Sequence, residues 1–290
     1  MHHLTKRDIS ESPLNRLCHL PDRPDDLYVE GTLDSLQDKK LITIVGSRTC
    51  SNYAKEITRK LITNLQGYPV CIVSGLALGI DTIAHAAALD SGICTVAFPG
   101  SGLDESVIYP ASNRGLSRRI LKNRGLLVSE YEPHTKAARW TFPKRNRLMA
   151  GVSDLVIIIE AQDKSGTLIT ARLAMEYGTT VAVIPQNITA EHAHGSNRLM
   201  QDGAHPILNH EDILHLVGLE KNDMQPTTHT LNKDEASLMQ HLSSPTSKDE
   251  LYKKCNLSYQ VFITTLTTLE LSGVVYEQYG KITKNTNQSI

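Results

Sequence analysis

Aromatic and cationic side chains are mixed in one short segment of the chain, residues 140–151. Its aromatic members are Trp140 and Phe142, and its cations are Lys144, Arg145 and Arg147. An aromatic ring can stack on an unpaired base while neighbouring cations bind the phosphates, and proteins that bind single strands combine these two devices. The segment therefore predicts contact with a single-stranded nucleic acid. Packing in the core is the alternative interpretation of both rings, and for Phe142 the two stay equally open.

The positive charge of the chain is concentrated around that segment. Residues 111–150 contain ten Lys or Arg and two Glu, a net charge of +8, whereas the whole chain of 290 residues carries −1. A protein coated with positive charge is thereby excluded, and binding to nucleic acid has to rest on a local patch. Arg118, Arg119 and Lys122 share one predicted helix, and an ordinary solvated face is the alternative for these three.

Short apolar segments alternate with helical patterns along most of the chain. Apolar, β-branched runs bounded by Gly, Pro or acidic residues are typical of buried parallel strands. The runs lie at residues 41–46, 70–75, 94–100, 126–130, 154–160 and 181–185, and the helical patterns lie at 53–65, 83–89, 116–123 and 168–177. Their alternation predicts an α/β fold, a Rossmann-like doubly wound sheet over residues 41–218. Residues 1–40 are expected to be a lead-in.

The residues after 218 have a different organisation. Residues 219–230 are polar and without periodicity, which predicts a linker. Residues 231–290 show three helices followed by two short strands, the order of a winged-helix domain. The third helix, predicted at 259–271, contains no Lys or Arg, so it offers duplex phosphates no cation. We expect its uncharged outer face to contact a protein, with a core made by Val261, Phe262, Leu266 and Leu269.

Three predicted strands end in loops of small residues that lead into helices. The carboxyl ends of parallel strands meet at the edge of the sheet where ligands bind, and a helix N-terminus offers its N–H groups to an anion. Arg48 adds a guanidinium able to hold a phosphate bidentately. Neither GxGxxG nor GxxxxGK[ST] is present, so dinucleotide and P-loop ATP sites are not favoured. A phosphate site is predicted at Gly46, Ser47 and Arg48, at Ser74, Gly75, Leu76, Ala77 and Gly79, and at Ser165, Gly166 and Thr167.

The other reactive side chains favour neither catalysis nor metal binding. Asp81 and His85 are four residues apart and could exchange a proton, but a local hydrogen bond or cap is the favoured interpretation. The five cysteines form no CxxC pattern and the twelve histidines no HExxH pattern, so no metal, cofactor or disulfide is predicted. Without a signal peptide or a long apolar stretch, the sequence predicts a cytoplasmic protein with no membrane partner.

Between residues 28 and 213, seven motifs follow one another: VGSR, SGLALGIDTIAH, SGLDESVIYPASN, GLLVSE, FPKRNRLMAG, EAQDKSGTLITARLAMEYG and GSNRLMQDGA. In this order they resemble the DNA-processing protein A family, also called DprA/Smf. The linker and winged-helix end resemble that family's usual C-terminal part. The chain departs from the pattern at residues 183–186, which read VIPQ, and at residues 99–102, which read PGSG. A helical N-terminal domain present in many members is missing or reduced to residues 1–40.

The resemblance implies a function as well as a fold. It implies an extended Rossmann domain that binds single-stranded DNA, loads the RecA recombinase onto it during natural transformation, and acts as a homodimer. The positions that match the family's DNA pocket are Arg48 and Arg145-Asn146-Arg147, with Lys144 beside them. The loops at residues 74–79 and 165–167 match the backbone walls of that pocket.

A nucleotide phosphoribohydrolase-like enzyme is the alternative function, since that group shares the Rossmann variant. Its members carry a PGGxGTxxE motif whose Glu assists cleavage of a glycosidic bond. In this chain Thr170 stands at the position of that Glu and the paired glycines are missing, so general acid–base catalysis has no carboxylate there. We therefore expect no catalytic residue and no enzyme. A purely structural adaptor would leave the basic stretch unexplained.

Overall fold

The computed structural model describes the chain except residues 191, 193, 221–222, 224–232, 243, 256, 272–273, 279 and 285–290. The chain divides into two compact units, Met1–Met224 and Gln225–Ile290, and each is described by itself. The linker predicted at residues 219–230 falls mostly outside the described residues. Among the described helices, none has both the length and the apolar composition that a transmembrane span requires.

Within the described residues of the first unit, nine strands form one sheet. They are β1 (His2–Thr5), β2 (Asp26–Gly31), β3 (Lys40–Val45), β4 (Val70–Ser74), β5 (Cys94–Ala97), β6 (Leu126–Ser129), β7 (Leu155–Ile158), β8 (Thr180–Val183) and β9 (His205–Pro206). Their order across the sheet is β1-β2-β6-β5-β4-β3-β7-β8-β9. The pairs from β6 through β9 are parallel, which confirms the doubly wound sheet. The strand order reverses between β3 and β7, where such sheets bind ligands.

Helices cover both faces of this sheet. They are α1 (Lys6–Ser10), α2 (Asn52–Thr63), α3 (Ile80–Asp90), α4 (Arg114–Lys122), α5 (Thr141–Val152), α6 (Gly166–Glu176), α7 (His194–Gln201) and α8 (His210–Val217). Successive strand residues point to opposite faces, so one apolar cluster takes Val45, Val73 and Val156 and the other takes Ile44, Ile72 and Ile157. The predicted strands and helices of this unit are confirmed within a few residues at their ends.

Residues 1–40 are not a separate lead-in, which corrects the prediction. Strands β1 and β2 pair antiparallel, and β2 pairs with β6, so the segment extends the sheet at one edge. Ile9, Leu14 and Leu17 are fully buried in the same core as the parallel strands. These apolar residues are separated by polar ones without a helix or strand period, so the sequence pattern did not indicate their burial.

The segment at residues 140–151 is largely a helix, α5, which the helical patterns did not include. Pro143 lies in its first turn, where a missing N–H costs nothing because the first N–H groups have no intrahelical partner. Residues 145 and 147–152 are all buried, including two arginines. An apolar stripe was therefore absent from the sequence because cations occupy part of the buried face.

The second unit has the winged-helix order. Its elements are α9 (Lys233–Gln240), β10 (Thr246–Ser247), α10 (Lys248–Lys254), α11 (Tyr259–Leu271), β11 (Val275–Gln278) and β12 (Lys281–Lys284). Ser247 caps α10 by accepting a hydrogen bond from the Glu250 N–H, and Ser258 lies 3.4 Å from the Val261 nitrogen at the start of α11. Phe262, Leu266 and Leu269 are buried as predicted. Val261 is exposed, so its predicted place in the core was wrong.

Candidate nucleic-acid interface

A cavity of about 390 Å³ opens at the carboxyl ends of β3 and β7, the neighbouring strands at which the strand order reverses. We call it the strand-end cavity. Ten of the residues predicted for the site line it, namely Gly46, Ser47, Arg48, Ala77, Phe142, Arg145, Asn146, Ser165, Gly166 and Thr167. The sequence did not point to its other lining residues, which are Val45, Asp81, Pro143, Met149, Gln162, Ile169 and Thr170. Most of these lie on α5 and α6, whose approach to the cavity depends on the packed fold.

Small residues and a helix end form the walls of the strand-end cavity. A Cβ on Gly46 would come 2.6 Å from Cγ1 of Ile80, so a larger residue there would displace α3. Helix α6 begins at the cavity, with Ser165 as its N-cap accepting from the Thr167 N–H at 3.2 Å. The N-terminus of a helix carries a partial positive charge. This wall therefore favours an anion.

Arg48 and Phe142 meet at the mouth of the strand-end cavity. The guanidinium carbon of Arg48 lies 5.2 Å from the centre of the Phe142 ring, and Arg48 is exposed. Tyr109 is on the same side, with its ring centre 5.8 Å from that of Phe142. Phe142 also packs on the backbone, since a Cβ on Gly100 would be 2.5 Å from Cδ1 of its ring. The two interpretations of Phe142 are thus compatible, because the half-buried ring both packs and lines the cavity.

Arg145 lies beneath the strand-end cavity, with only 5% of its surface exposed. Its guanidinium donates to the carbonyls of Gly75 and Phe98, which fixes the end of β4 against the end of β5. Burial lowers the pKa of Arg145 to about 10, while the nearby Asp81 opposes the shift, so the group stays charged at neutral pH. Arg145 thus supports the site and adds a fixed positive charge below it.

Asp81 holds the loop at residues 74–79. Its Oδ2 accepts from the N–H groups of Gly75 at 3.1 Å and Ala77 at 3.3 Å. Burial raises the pKa of Asp81, and the Arg145 charge opposes that rise. His85 does not pair with it, since Nδ1 of His85 is 2.7 Å from the Thr95 hydroxyl. Burial lowers the pKa of His85 to about 3. The local-cap interpretation of Asp81 is confirmed.

The other residues of that loop do not line the strand-end cavity. The buried Ser74 hydroxyl donates to the Ile44 carbonyl at 2.7 Å. Leu76 is fully buried at a φ of 58°. Gly79 has a φ of 75°, and a Cβ there would collide with the Ser47 carbonyl oxygen. These residues fix the position of Ala77 and of the loop after β3. None of them lines the strand-end cavity, so their predicted contact with a phosphate has no support there.

Arg147 and Lys144 turn away from the strand-end cavity. Arg147 is 4% exposed and forms ion pairs with Glu130 at 2.5 Å and Asp22 at 3.2 Å. Lys144 lies 3.5 Å from the same Glu130 carboxylate. Neither side chain lines the strand-end cavity, so their predicted contact with DNA has no support from this cavity. Asn146, between them in sequence, does line the cavity, and its side-chain N–H lies 3.5 Å from the Gly166 carbonyl.

The remaining parts of the basic stretch are at the surface. Arg118, Arg119 and Lys122 lie exposed on α4, and two of them have acidic neighbours, Glu105 at 3.9 Å and Asp90 at 2.8 Å. Trp140 is 62% exposed and meets the edge of Tyr131 with ring centres 5.6 Å apart. The alternative interpretation, in which Trp140 packs in the core, is therefore wrong. On α4 the carboxylates near Arg118 and Arg119 favour the alternative of a solvated face.

Acid–base and metal chemistry have few candidate groups at this site. Among the described residues that line the strand-end cavity, Asp81 is the one carboxylate, and loop N–H groups occupy it. Thr170, at the position where the rival enzyme carries Glu, is buried with a hydroxyl in place of a carboxylate. No cluster of three or more His, Cys, Asp or Glu side chains suited to a metal ion occurs in the part of the chain that the structure describes.

Known proteins with similar sequences were identified across most of the chain. A DNA processing protein DprA from Streptococcus pneumoniae is 42% identical over 198 residues, which are 68% of each chain. A protein of the same name from Bacillus subtilis is 37% identical over 192 residues, 66% of this chain and 64% of that protein. Protein Smf from Synechocystis is 40% identical over 205 residues, 70% of this chain and 51% of that protein. The matched region thus spans from about half to two thirds of these relatives.

Solved structures share the fold. The X-ray structure of DNA processing protein A from Streptococcus pneumoniae matches with a TM-score of 0.68 and 38% identity, covering 74% of this chain and 73% of that one. DNA processing protein A from Helicobacter pylori, a single-stranded DNA-binding protein, matches with a TM-score of 0.63 and 35% identity, covering 69% and 90%.

Family models account for both units of the chain. The model described as DNA recombination-mediator protein A matches residues 7–218. The model described as the DprA winged helix domain matches residues 222–281. Together with the relatives, these matches show that the chain belongs to the DNA recombination-mediator protein A family, the DprA/Smf family.

Proposed function

We propose that this chain binds single-stranded DNA without sequence preference and that the strand-end cavity is its binding site. The observation that carries the proposal is the exposed Arg48 guanidinium above the Phe142 ring, at the mouth of a cavity into which the N-terminus of α6 opens. An exposed guanidinium beside an aromatic ring offers one group to a phosphate and one to a base.

The geometry favours a strand whose bases are unpaired. Phe142 and Tyr109 are open to a base only if that base has left its stack, because the faces of stacked base pairs are covered by their neighbours. Ring stacking is tolerant of sequence, since every base has a π-face. Below the ring, Arg145 and the α6 N-terminus supply positive potential without reading base edges.

We infer further that the protein acts as a recombination mediator that loads the RecA recombinase onto the bound strand, as a cytoplasmic homodimer serving natural transformation. Membership of the recombination-mediator family supports this part of the proposal. The phosphoribohydrolase alternative is disfavoured, because the position of its catalytic Glu holds the buried Thr170.

A titration of labelled oligo-dT and of a matching duplex at two salt concentrations tests the proposal. We expect tighter binding of the single strand. The logarithm of the binding constant should fall with the logarithm of salt at a slope of roughly −0.7 per phosphate contacted. Equal or tighter binding of the duplex would show that the cavity is not a single-strand site.

A further inference from the structure

A second and larger cavity, of about 870 Å³, lies next to the strand-end cavity. Arg48 lines both, so its side chain stands where one opens towards the other. We call this second cavity the α2 groove, because Lys55 and Arg59 of helix α2 form one wall. Leu78 and Gly79, from the loop after β4, contribute to the opposite wall.

The described lining of the α2 groove is cationic. Arg48, Lys55 and Arg59 line it, and none of its described lining residues is Asp or Glu. Lys55 hydrogen-bonds the neutral Asn52 side chain at 3.3 Å. On α4, by contrast, Arg118 and Arg119 each have a carboxylate within 4 Å. A concave surface lined by cations and by no carboxylate attracts a polyanion more strongly than a helix face whose cations have carboxylate neighbours.

The spacing of the two α2 cations suits successive negatively charged groups of an extended polyanion. Lys55 and Arg59 are four residues apart on one helix, so they share a face and are about 6 Å apart along the helix axis. Arg48 lines both cavities, so the three cations form a row that begins at the strand-end cavity and follows α2. One polyanionic chain can therefore contact all of them.

The wall opposite α2 is held rigidly. The Asn113 side-chain N–H groups donate to the carbonyls of Leu76 at 2.8 Å and Ala77 at 3.2 Å and to the Thr82 hydroxyl at 2.8 Å. Gly79, in a backbone conformation that only Gly adopts readily, packs on the loop that carries Arg48. Leu78 stays 48% exposed at this wall and offers an apolar surface to sugars and bases. This part of the lining is thus held in place by contacts within the protein.

We propose that the α2 groove binds the phosphodiester backbone of the DNA strand after it leaves the strand-end cavity, with Lys55 and Arg59 each contacting a phosphate. The inference rests on the proposed function and extends its binding site from the strand-end cavity to two adjoining cavities. A strand long enough to occupy both cavities should then bind more tightly than one that fills only the first.

Two matched double variants test whether the α2 groove binds DNA. In Lys55→Gln/Arg59→Gln the α2 groove loses both cations, and in Arg118→Gln/Lys122→Gln helix α4 loses two cations at the same spacing. Both changes alter the net charge equally. Affinities are measured for oligo-dT of about five and about sixteen nucleotides, near the two ends of the range of single-strand site sizes. Thermal unfolding is the folding control.

For the α2 variant we expect at least a tenfold loss of affinity for the longer oligonucleotide and an unchanged affinity for the shorter one. Its salt slope should be smaller by about 1.4, for two lost phosphate contacts. The α4 variant should bind both as the unaltered protein does. Unchanged binding of the longer strand by the α2 variant, or an equal loss in the α4 variant, would overturn the inference.

The outcomes for the groove and for the proposed function are distinguishable. If the unaltered protein binds neither oligonucleotide, the proposed function fails and the groove with it. If the unaltered protein binds both and the α2 variant binds them equally well, the groove inference fails alone. Should the double variant unfold, the exposed Arg59→Glu replacement repeats the test, because reversing that charge should weaken binding of the longer strand alone.

Discussion

Arg48, Arg145 and Arg147 carry the same charge, but their surroundings give them different roles. Arg48 is exposed above an aromatic ring and is free to move onto a phosphate. Arg145 is buried, and one of its guanidinium nitrogens, Nη1, donates to two backbone carbonyls. Arg147 is buried among carboxylates. A buried ion pair has already lost its hydration, so its cation is not available to DNA, and only Arg48 of the three can respond to a ligand by changing its position.

At Arg147 we predict a loss of stability and not of DNA contact. Arg147→Ala leaves the Glu130 carboxylate, whose side chain is 13% exposed, without its closest cation. Removing one partner of a buried pair costs about 3–5 kcal/mol in the free energy of unfolding. Denaturant unfolding measures this loss, and oligo-dT titration of the folded variant should give nearly the original affinity.

Lys144→Ala is the matched control for that variant, because Lys144 pairs with the same Glu130 but is 46% exposed. An exposed pair of this kind contributes only about 0–1 kcal/mol. If Arg147→Ala left the unfolding free energy unchanged and abolished DNA binding, the assignment of Arg147 to the supporting structure would be wrong.

At the scale of elements, the sequence predicted the strands and loops better than the helix that completes the site. The strand runs are apolar on both faces, and their ends carry Gly46 and Gly166, so strands and strand-end loops could be predicted. Helix α5 could not, because Arg145 and Arg147 occupy buried positions where a helical pattern expects apolar side chains. The burial of Arg147 depends on Asp22 and Glu130. That of Arg145 depends on the Gly75 and Phe98 carbonyls. Only the packed fold brings these partners near.

The loops after β3 and β4 act as one unit, and Gly79 joins them. Gly79→Ala would place a methyl group against the Ser47 carbonyl and force a φ of 75° on a residue that avoids it. We expect a loss of stability of about 1–3 kcal/mol. We also expect weaker binding of oligo-dT, because the loop that carries Arg48 has to move. Thermal unfolding and titration measure the two effects.

Gly166→Ala is the control for the loop prediction, since a Cβ at Gly166 meets nothing within 4 Å and its backbone does not have a positive φ. Its stability should be close to that of the unaltered protein. Equal tolerance of Ala at Gly79 would mean that the two loops are not coupled through this contact.

At the scale of the whole molecule, the two units differ in the surface they offer. Residues 220–290 hold seven Lys and eight Asp or Glu, while residues 111–150 of the first unit carry a net charge of +8. Helix α11 has no cation, and it exposes Tyr259, Val261 and Ile263. Exposed aromatic and aliphatic side chains without charge are typical of the centre of a protein–protein interface. We therefore expect DNA binding in the first unit and a protein contact in the second.

Truncation after Gly218 separates these two roles. Gly218 ends α8 in a left-handed conformation. The cut removes Leu219, whose N–H donates to the Leu214 carbonyl at 2.9 Å, so the folding of the truncated protein has to be checked. We expect residues 1–218 to bind oligo-dT within about tenfold of the full chain, roughly 1.4 kcal/mol. A larger loss, with the truncated protein folded by circular dichroism, would assign DNA binding to the winged-helix unit as well.

Titration of oligo-dT with the unaltered protein, Arg48→Lys and Arg48→Ala tests the central claim most directly. Arg48 is exposed and its contact with the Phe142 ring lies at the mouth of the cavity, so all three should unfold at similar temperatures. We predict that Arg48→Ala lowers the affinity at least tenfold and reduces the salt slope by about 0.7. Arg48→Lys should keep only part of the original affinity, because an ammonium group lacks the planar fork that holds a phosphate bidentately. Unchanged affinity in a folded Arg48→Ala protein would contradict the claim that the strand-end cavity binds the DNA.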